Sequence, residues 1–265
     1  MCCCFCAMFV QEPAITGCVS DESQTIARSF DTEVLVSRPS RLPVWKRFLD
    51  LFLILILIPI WLPVMLLVGL GIKLVSPGPI FFRQERIGHR GRPFLCLKFR
   101  SMRCDADVGV HKKYLEDLMK SDAPMVKLDS SNDPRLIPLG NILRASGLDE
   151  LPQLFNVIRG EMSLVGPRPC TSYEFEQYES WHKERFTSLP GLTGLWQVTG
   201  KNRTTFDQMI RLDIRYARRL SPGQDLWILL KTFGVVVGQV EEAFSKRMTK
   251  AQTLLSKNGT RNEEG

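Results

Sequence analysis

Asp149 and Glu150 are adjacent carboxylates, and Arg144 lies five residues before the first of them. Paired acids have two common uses. They hold a hard cation such as Mg²⁺, which takes one or two carboxylates and fills its remaining positions with water and phosphate oxygens. They also occupy helix N-termini, where negative charge is favoured by about 0.3–1 kcal/mol. The pair by itself leaves both uses open. Elsewhere the chain carries cations on short, stiff segments: Lys98-Phe99-Arg100-Ser101-Met102, Asp133-Pro134-Arg135, and Pro167-Arg168-Pro169. Arginine matches phosphate bidentately, and an arginine flanked by prolines has little conformational freedom to lose. Acids and stiffly held cations together point to phosphoryl transfer on an anion.

Other chemistries lack their residues. His89, His111 and His182 form no H-E-x-x-H zinc site, and there is no G-x-x-x-x-G-K-[ST] loop, G-x-G-x-x-G fingerprint or G-x-S-x-G elbow. The common nucleoside-triphosphate, dinucleotide and hydrolase classes are thereby set aside.

The chain has 265 residues, 44% hydrophobic and 24% charged, with 35 Lys and Arg against 28 Asp and Glu. Its mean hydropathy is −0.05. These averages exclude a polytopic membrane protein, a collagen-like fibre and a wholly disordered chain, but allow one membrane segment. The net charge of +7 is local. Between Lys73 and Arg103 stand eight basic residues and one acid, Glu85, which account for all of it. A cationic stretch beside an apolar one suits an anionic membrane surface, or anionic substrates handled there. Nucleic acid is disfavoured: no binding motif is present, and the apolar stretch would have no role.

That apolar stretch is Leu51–Ile72, 22 residues without a charge. As a straight helix it would reach roughly 33 Å, enough to cross a bilayer core. Pro59 and Pro63 interrupt it, and each removes a backbone donor, so a kink is expected. Basic residues flank both ends, whereas a simple span concentrates them on one side. A straight span and a helix that breaks and returns to the same face are both compatible with these facts.

Beyond Ser76-Pro77-Gly78-Pro79, the segments Ile80–Ile87 and Pro93–Phe99 read as a β-hairpin. Helices are expected over 108–120, with a polar loop to Pro134, and over Leu148–Gly160, with Asp149, Glu150 and Pro152 in the first turn. A polar helix over 173–186 and a glycine-punctuated loop over Leu189–Gly200 follow. The stripe Phe206, Met209, Ile210, Ile214, Ala217, Leu220 marks a basic amphipathic helix, suited either to a membrane surface or to core packing. Leu226–Val240 is a more apolar helix, too short and too charged at Lys231 to span. Five of the eight cysteines fall within the first 18 residues, without the spread of a disulfide framework. Residues 1–40 are expected to form a disordered leader, with an over-long start or cysteine acylation as alternatives. The domain is expected over 41–240, its membrane helix over 48–73, and a polar tail over 241–265.

Five motifs occur in order: PGPIFFRQERIG at 77–88, KFRSM at 98–102, NDPR at 132–135, LDELPQLFNVIRGEMSLVGPRP at 148–169 and PGLTGLWQVTG at 190–200. In this the chain resembles the bacterial sugar transferases, the monotopic polyprenyl-phosphate sugar-1-phosphate transferases, over about residues 44–240. The resemblance implies transfer of a sugar-1-phosphate from a UDP-sugar to undecaprenyl phosphate, with release of UMP. It would begin an exopolysaccharide, O-antigen, capsule or glycoprotein glycan. It assigns Asp149 as nucleophile, forming a sugar-phosphoryl-aspartyl intermediate, and Glu150 with Asp149 as the holder of Mg²⁺. Arg144 and Arg168 are implied phosphate or nucleotide ligands, with Lys98, Arg100 and Asp225 as further substrate-binding candidates. It also implies a re-entrant helix broken at Pro59, on the cytoplasmic face of the bacterial inner membrane among anionic lipids. A bundle of four transmembrane helices precedes this core in larger members, so a compact form is expected. The fold class is a helix-rich α+β domain with a small hairpin and membrane-surface amphipathic helices. A homodimer is compatible with it. A non-enzymatic membrane adaptor is the competing reading, which has no need of the dyad. The sugar is not identified; Thr171–Thr187 is the expected selecting loop.

Overall fold

In the computed structural model the described residues are 42–103, 118–119, 121, 123–124, 135–200 and 203–238. The expected leader, the tail, most of the helix over 108–120 and the loop leading to Pro134 lie outside them.

The uncharged run folds as two helices. Helix α1, Val44–Ile56, stops at Leu57, and α2, Ile58–Val75, begins at the next residue with Pro59 in its first turn. A proline is tolerated there because its missing N–H would have had no partner in a first turn. The break therefore falls two residues ahead of Pro59, and Pro63 sits inside a helix that continues through it. Across the break the Trp61 indole N–H donates to the Ile54 carbonyl at 3.0 Å. Among the described residues, α2 is the one helix long and apolar enough to cross a membrane.

Both helices press one stripe against the rest of the protein. Lys46, Asp50 and Ile54 are buried along α1, and Met65, Gly69 and Ile72 along α2. Their other sides are unusually apolar for an exposed surface: Phe48 is 70% and Leu67 69% exposed, beside Leu55, Ile60, Leu66, Leu70 and Leu74.

The first two buried positions of α1 are charged, and they fasten it. The Lys46 ammonium donates to Asp225 Oδ2 at 2.7 Å, to the Tyr216 hydroxyl at 2.9 Å and to the Val165 carbonyl at 2.9 Å. Asp50 Oδ1 accepts the Leu164 N–H at 3.1 Å. Arg47 caps the carbonyls of Val157 and Ile158.

After α2 come strands β1, Phe81–Ile87, and β2, Pro93–Phe99, paired antiparallel from Phe81 with Phe99 to Ile87 with Pro93. The expected hairpin is present. Helix α3, Gly140–Ser146, leads through a 3-10 turn, Leu148–Glu150, to α4, Gln153–Arg159. The acids thus lie in a tight turn ahead of the helix rather than in its first turn. Strand β3, Ser163–Val165, pairs in parallel with β4, Gly191–Thr193, inside the stretch expected to be loop, and α6, Leu195–Thr199, follows it.

Between these strands the expected polar helix over 173–186 is replaced by two short pieces, α5, Ser172–Glu176, and a 3-10 helix, His182–Thr187. The reason is aromatic burial. Phe175, Tyr178 and Phe186 cluster with Phe206, and the Phe175 and Phe186 rings meet at 5.2 Å, whereas eleven residues of one helix would part them by roughly 16 Å.

Helix α7, Phe206–Arg218, starts at a capping box formed by Thr205 and Gln208. Its apolar stripe is spent in the core, where Phe206, Met209, Ile210 and Ile214 meet Ile87, Cys170 and Trp196. A membrane-surface role for this helix is thereby corrected: the stripe is already covered. Helix α8, covering residues 222–238, differs. It buries Asp225 and Ile228 but leaves Leu226, Trp227, Leu230, Phe233 and Val237 exposed.

Removing the Asp225 carboxylate would strand the Lys46 ammonium in the interior. Asp225→Ala is expected to lower folding stability by about 3–5 kcal/mol. Thermal unfolding in detergent, followed by circular dichroism, reads the loss, and adding Lys46→Met should return much of it.

Candidate active site

Gly147 ends α3 with φ +73, a left-handed conformation that glycine adopts without strain. The chain turns there, and the Glu150 N–H closes the 3-10 turn on the Gly147 carbonyl at 3.1 Å. Asp149 and Glu150 are therefore displayed, both partly exposed, on a turn braced between two helices. Arg144 lies in the last turn of α3, with Nη1 3.6 Å from the Met102 sulfur.

The turn is fixed to the hairpin by Asn156, which is fully buried on α4. Its Oδ1 accepts the Leu97 N–H at 3.0 Å, and its Nδ2 donates to the Leu95 carbonyl at 2.7 Å. Asn156 thus bonds to β2 as a neighbouring strand would, and fixes α4 relative to Lys98 in register. The Lys98 ammonium then meets Glu150 Oε1 at 2.8 Å. Nothing in the sequence motifs marked Asn156 as this anchor; a buried amide two turns after the dyad is the signal that was available.

Register places Phe82 opposite Lys98, Gln84 opposite Cys96 and Arg86 opposite Phe94. Directly paired residues share a face, so Gln84, Arg86, Cys96 and Lys98 lie on one side of the hairpin. Arg86 is buried, donates twice to Gln84 Oε1 at 2.7 and 3.1 Å, and reaches the Pro169 carbonyl at 3.2 Å. It joins the hairpin to the Pro167-Arg168-Pro169 loop. Burial pushes the Cys96 thiol up, with the Lys98 and Arg86 charges opposing. Burial also raises the Tyr173 phenol, with the Arg86 and Arg168 charges opposing.

Two candidates serve elsewhere. Arg100 is buried, and its guanidinium binds the carbonyls of Pro77 at 2.7 Å and Ser76 at 2.9 Å. It holds the Ser76-Pro77-Gly78-Pro79 turn closed. Asp225 is the buried counter-charge of Lys46. Both Asp225 oxygens are committed to Lys46 and Tyr216, which corrects that residue from substrate ligand to structural residue; in Arg100 both Nη atoms are committed to carbonyls, while its buried Nε has no partner. Sequence reasoning could not separate these from Lys98 and Arg168, since a buried and an exposed charge look alike in a motif. Among the described residues, no three His, Cys, Asp or Glu side chains gather into a cage for a metal ion.

Residues 41–239 match the family described as Bacterial sugar transferase. The chain belongs to it. Similar relatives include the exopolysaccharide production protein ExoY of Sinorhizobium fredii, 39% identical over 72% of this chain and 84% of the relative. A UDP-glucose:undecaprenyl-phosphate glucose-1-phosphate transferase of Caulobacter vibrioides is 40% identical over 76% of this chain and 75% of the relative. The galactosyl transferase CpsE of Streptococcus agalactiae is 42% identical over 72% of this chain, which spans 42% of that longer protein. The two tails apart, the whole described bacterial sugar transferase domain lies inside the match.

Cys96 and Cys170 are both buried, and burial pushes the Cys170 thiol up to about 12. In the folded protein at pH 8 both should resist iodoacetamide while reacting once denatured. Peptide mass mapping before and after unfolding distinguishes them from the other cysteines.

Proposed function

We propose that this chain transfers a sugar-1-phosphate from a UDP-sugar to undecaprenyl phosphate and releases UMP. The observation that carries the reading is the 2.8 Å pairing of Lys98 with Glu150 on the turn that presents Asp149. Family membership gives the pairing its chemical sense. The Asp149 carboxylate attacks the β-phosphorus, the bond from that phosphorus to the bridging oxygen breaks, and UMP departs with the electron pair. An oxygen of undecaprenyl phosphate then attacks the same phosphorus and expels the Asp149 carboxylate, regenerating it. Lys98 orients Glu150 through their ion pair; Arg168 and Arg144 bind phosphate oxygens, countering their charge.

The donor set fits Mg²⁺. Two hard carboxylates on an open turn are what this ion accepts when phosphates and water complete its shell. Glu150 and Asp149 would hold it. When bound, it supplies neutralisation of the diphosphate charge.

The membrane arrangement follows from the two-helix run. Lys46 near its start is bonded to Val165 and Asp225, and Ile72 near its end packs with Phe99, Ile137 and Leu143. A straight span would carry one end to the far side of the bilayer, away from the body that both ends touch. We therefore infer a re-entrant hairpin of α1 and α2, entering from the cytoplasmic face of the bacterial inner membrane. The exposed apolar row of α8 rests among the lipids of that face, with basic residues meeting anionic head groups.

Asp149→Asn is expected to lower UMP release by about 10³-fold or more while the protein still partitions into membranes. A panel of UDP-sugars with undecaprenyl phosphate supplied makes the measurement and also identifies the sugar. Undiminished release would remove Asp149 from the nucleophile's place. For topology, single cysteines at Ser40 and Arg92, in a chain whose cysteines other than Cys96 and Cys170 are replaced by serine, should both be labelled from the cytoplasmic side alone. Labelling of Ser40→Cys from the opposite side would make the run a true span.

A further inference from the structure

The Pro167–Cys170 loop is held at four consecutive carbonyls, each by a different residue. Pro167 O accepts the Gly191 N–H at 2.9 Å, Arg168 O accepts Arg185 Nη2 at 2.8 Å, Pro169 O accepts Arg86 Nη1 at 3.2 Å, and Cys170 O accepts the Ile87 N–H at 2.8 Å. Pro167, Pro169 and Cys170 are buried, and Arg168 between them is exposed. Gly191 and Gly166 allow the approach, since a Cβ on Gly191 would stand 2.0 Å from the Gly166 nitrogen. The loop is therefore a rigid mount with one charged side chain projecting from it.

Of the four donors, Arg185 is the least expected. It is 1% exposed, and it divides its guanidinium among the Tyr178 hydroxyl at 2.8 Å, the Asp213 carboxylate and the Arg168 carbonyl. Asp213 belongs to the buried face of α7. A guanidinium and a carboxylate placed this deep cost several kcal/mol each in desolvation before their attraction is counted. Well-packed apolar residues would serve stability as well or better. What apolar residues could not do is grip a main-chain carbonyl while being gripped themselves from two sides.

We propose that Arg185 is a positioning residue for Arg168: anchored by Asp213 on α7 and by Tyr178, it fixes the Arg168 main chain so that the Arg168 side chain meets a phosphate of the UDP-sugar in one geometry. The inference rests on the phosphate-binding role proposed for Arg168 above. Arg86 performs the same service one residue later, through Pro169. Substrate grip then depends on core packing of α7 through a chain of three contacts: Asp213 to Arg185, Arg185 to the Arg168 main chain, and the Arg168 side chain to phosphate.

A double-mutant cycle on the full chain in detergent tests this, with UMP release and UDP affinity by calorimetry as readouts. Arg185→Lys keeps the charge and loses the fork. It should lower kcat/KM about tenfold, mainly through KM, and weaken UDP similarly, yet add less than about twofold when Arg168 is already Ala. Thermal unfolding is followed in all four proteins, and a change in Tm common to both backgrounds accounts for the purely structural part. If Arg185→Lys does not fold, Arg86→Lys is put through the same cycle against Arg168→Ala, with the same expectation. Equal fold losses with and without the Arg168 side chain would overturn the proposal while leaving the transferase reading intact. Absence of both turnover and UDP binding in the unaltered chain would overturn the reading of the site, and this inference with it.

Discussion

Everything in this protein depends on a joint between an apolar helix and a phosphate-handling body, and that joint is made of buried charge. Lys46, Asp225, Tyr216 and the Val165 carbonyl close on one another with almost no exposure to water. Two apolar surfaces would have adhered there in several registers. A buried ammonium with three named partners adheres in one, because any other register leaves a charge unpaired. On the proposed transferase reading, orientation is what such a protein needs: a lipid-borne phosphate would arrive at a depth set by α1 and α2, and the Asp149 carboxylate would have to be held at that depth by everything between.

What lies between is short. Strand β3 carries the Val165 carbonyl that Lys46 binds, and the loop directly after it carries Arg168. On the other side, Arg47 caps the last carbonyls of α4, the helix whose Asn156 grips β2 and whose preceding turn bears the dyad. Adjacent residues of α1 are thus tied to the two segments that flank the site. Among the described residues, α1, the dyad turn and the Pro167–Pro169 loop are joined by direct hydrogen bonds and short connections.

Much of this was legible in the chain. The hairpin could be read from β-rich segments around Gly88 and Gly91; the prolines signalled a break in the apolar run but not its place at Leu57, and the dyad was expected in the first turn of a helix that begins only at Gln153. Misreadings share one physical cause: periodicity reports that a face is buried without saying what buries it. The stripe of α7 fits a membrane as well as a core, and only the aromatic cluster of Phe175, Tyr178 and Phe186 decides it. That cluster draws its members from a segment whose local composition reads as a polar helix. Strand β4 was invisible for a related reason. Three residues that begin with Gly191 and are followed by Gly194 carry no strand signal, and their pairing with β3 is set by tertiary contact.

Charge was the other blind spot, and it changes what the basic stretch means. Of the eight cations from Lys73 to Arg103, Arg86 and Arg100 are buried and bound to carbonyls of neighbouring loops. Arg185, outside that stretch, is buried too and bound to another. An arginine that meets phosphate and an arginine that ties a loop use the same fork of donors, so composition counts both alike. The exposed members, Lys73, Arg83, Arg92 and Arg103, are what remains for head groups and solvent. On the proposed reading Arg86 and Arg185 make Arg168 useful, because a cation grips a phosphate strongly only where its own backbone cannot yield. Part of the excess positive charge therefore acts as scaffold, since Arg86 and Arg100 are bound to main-chain carbonyls.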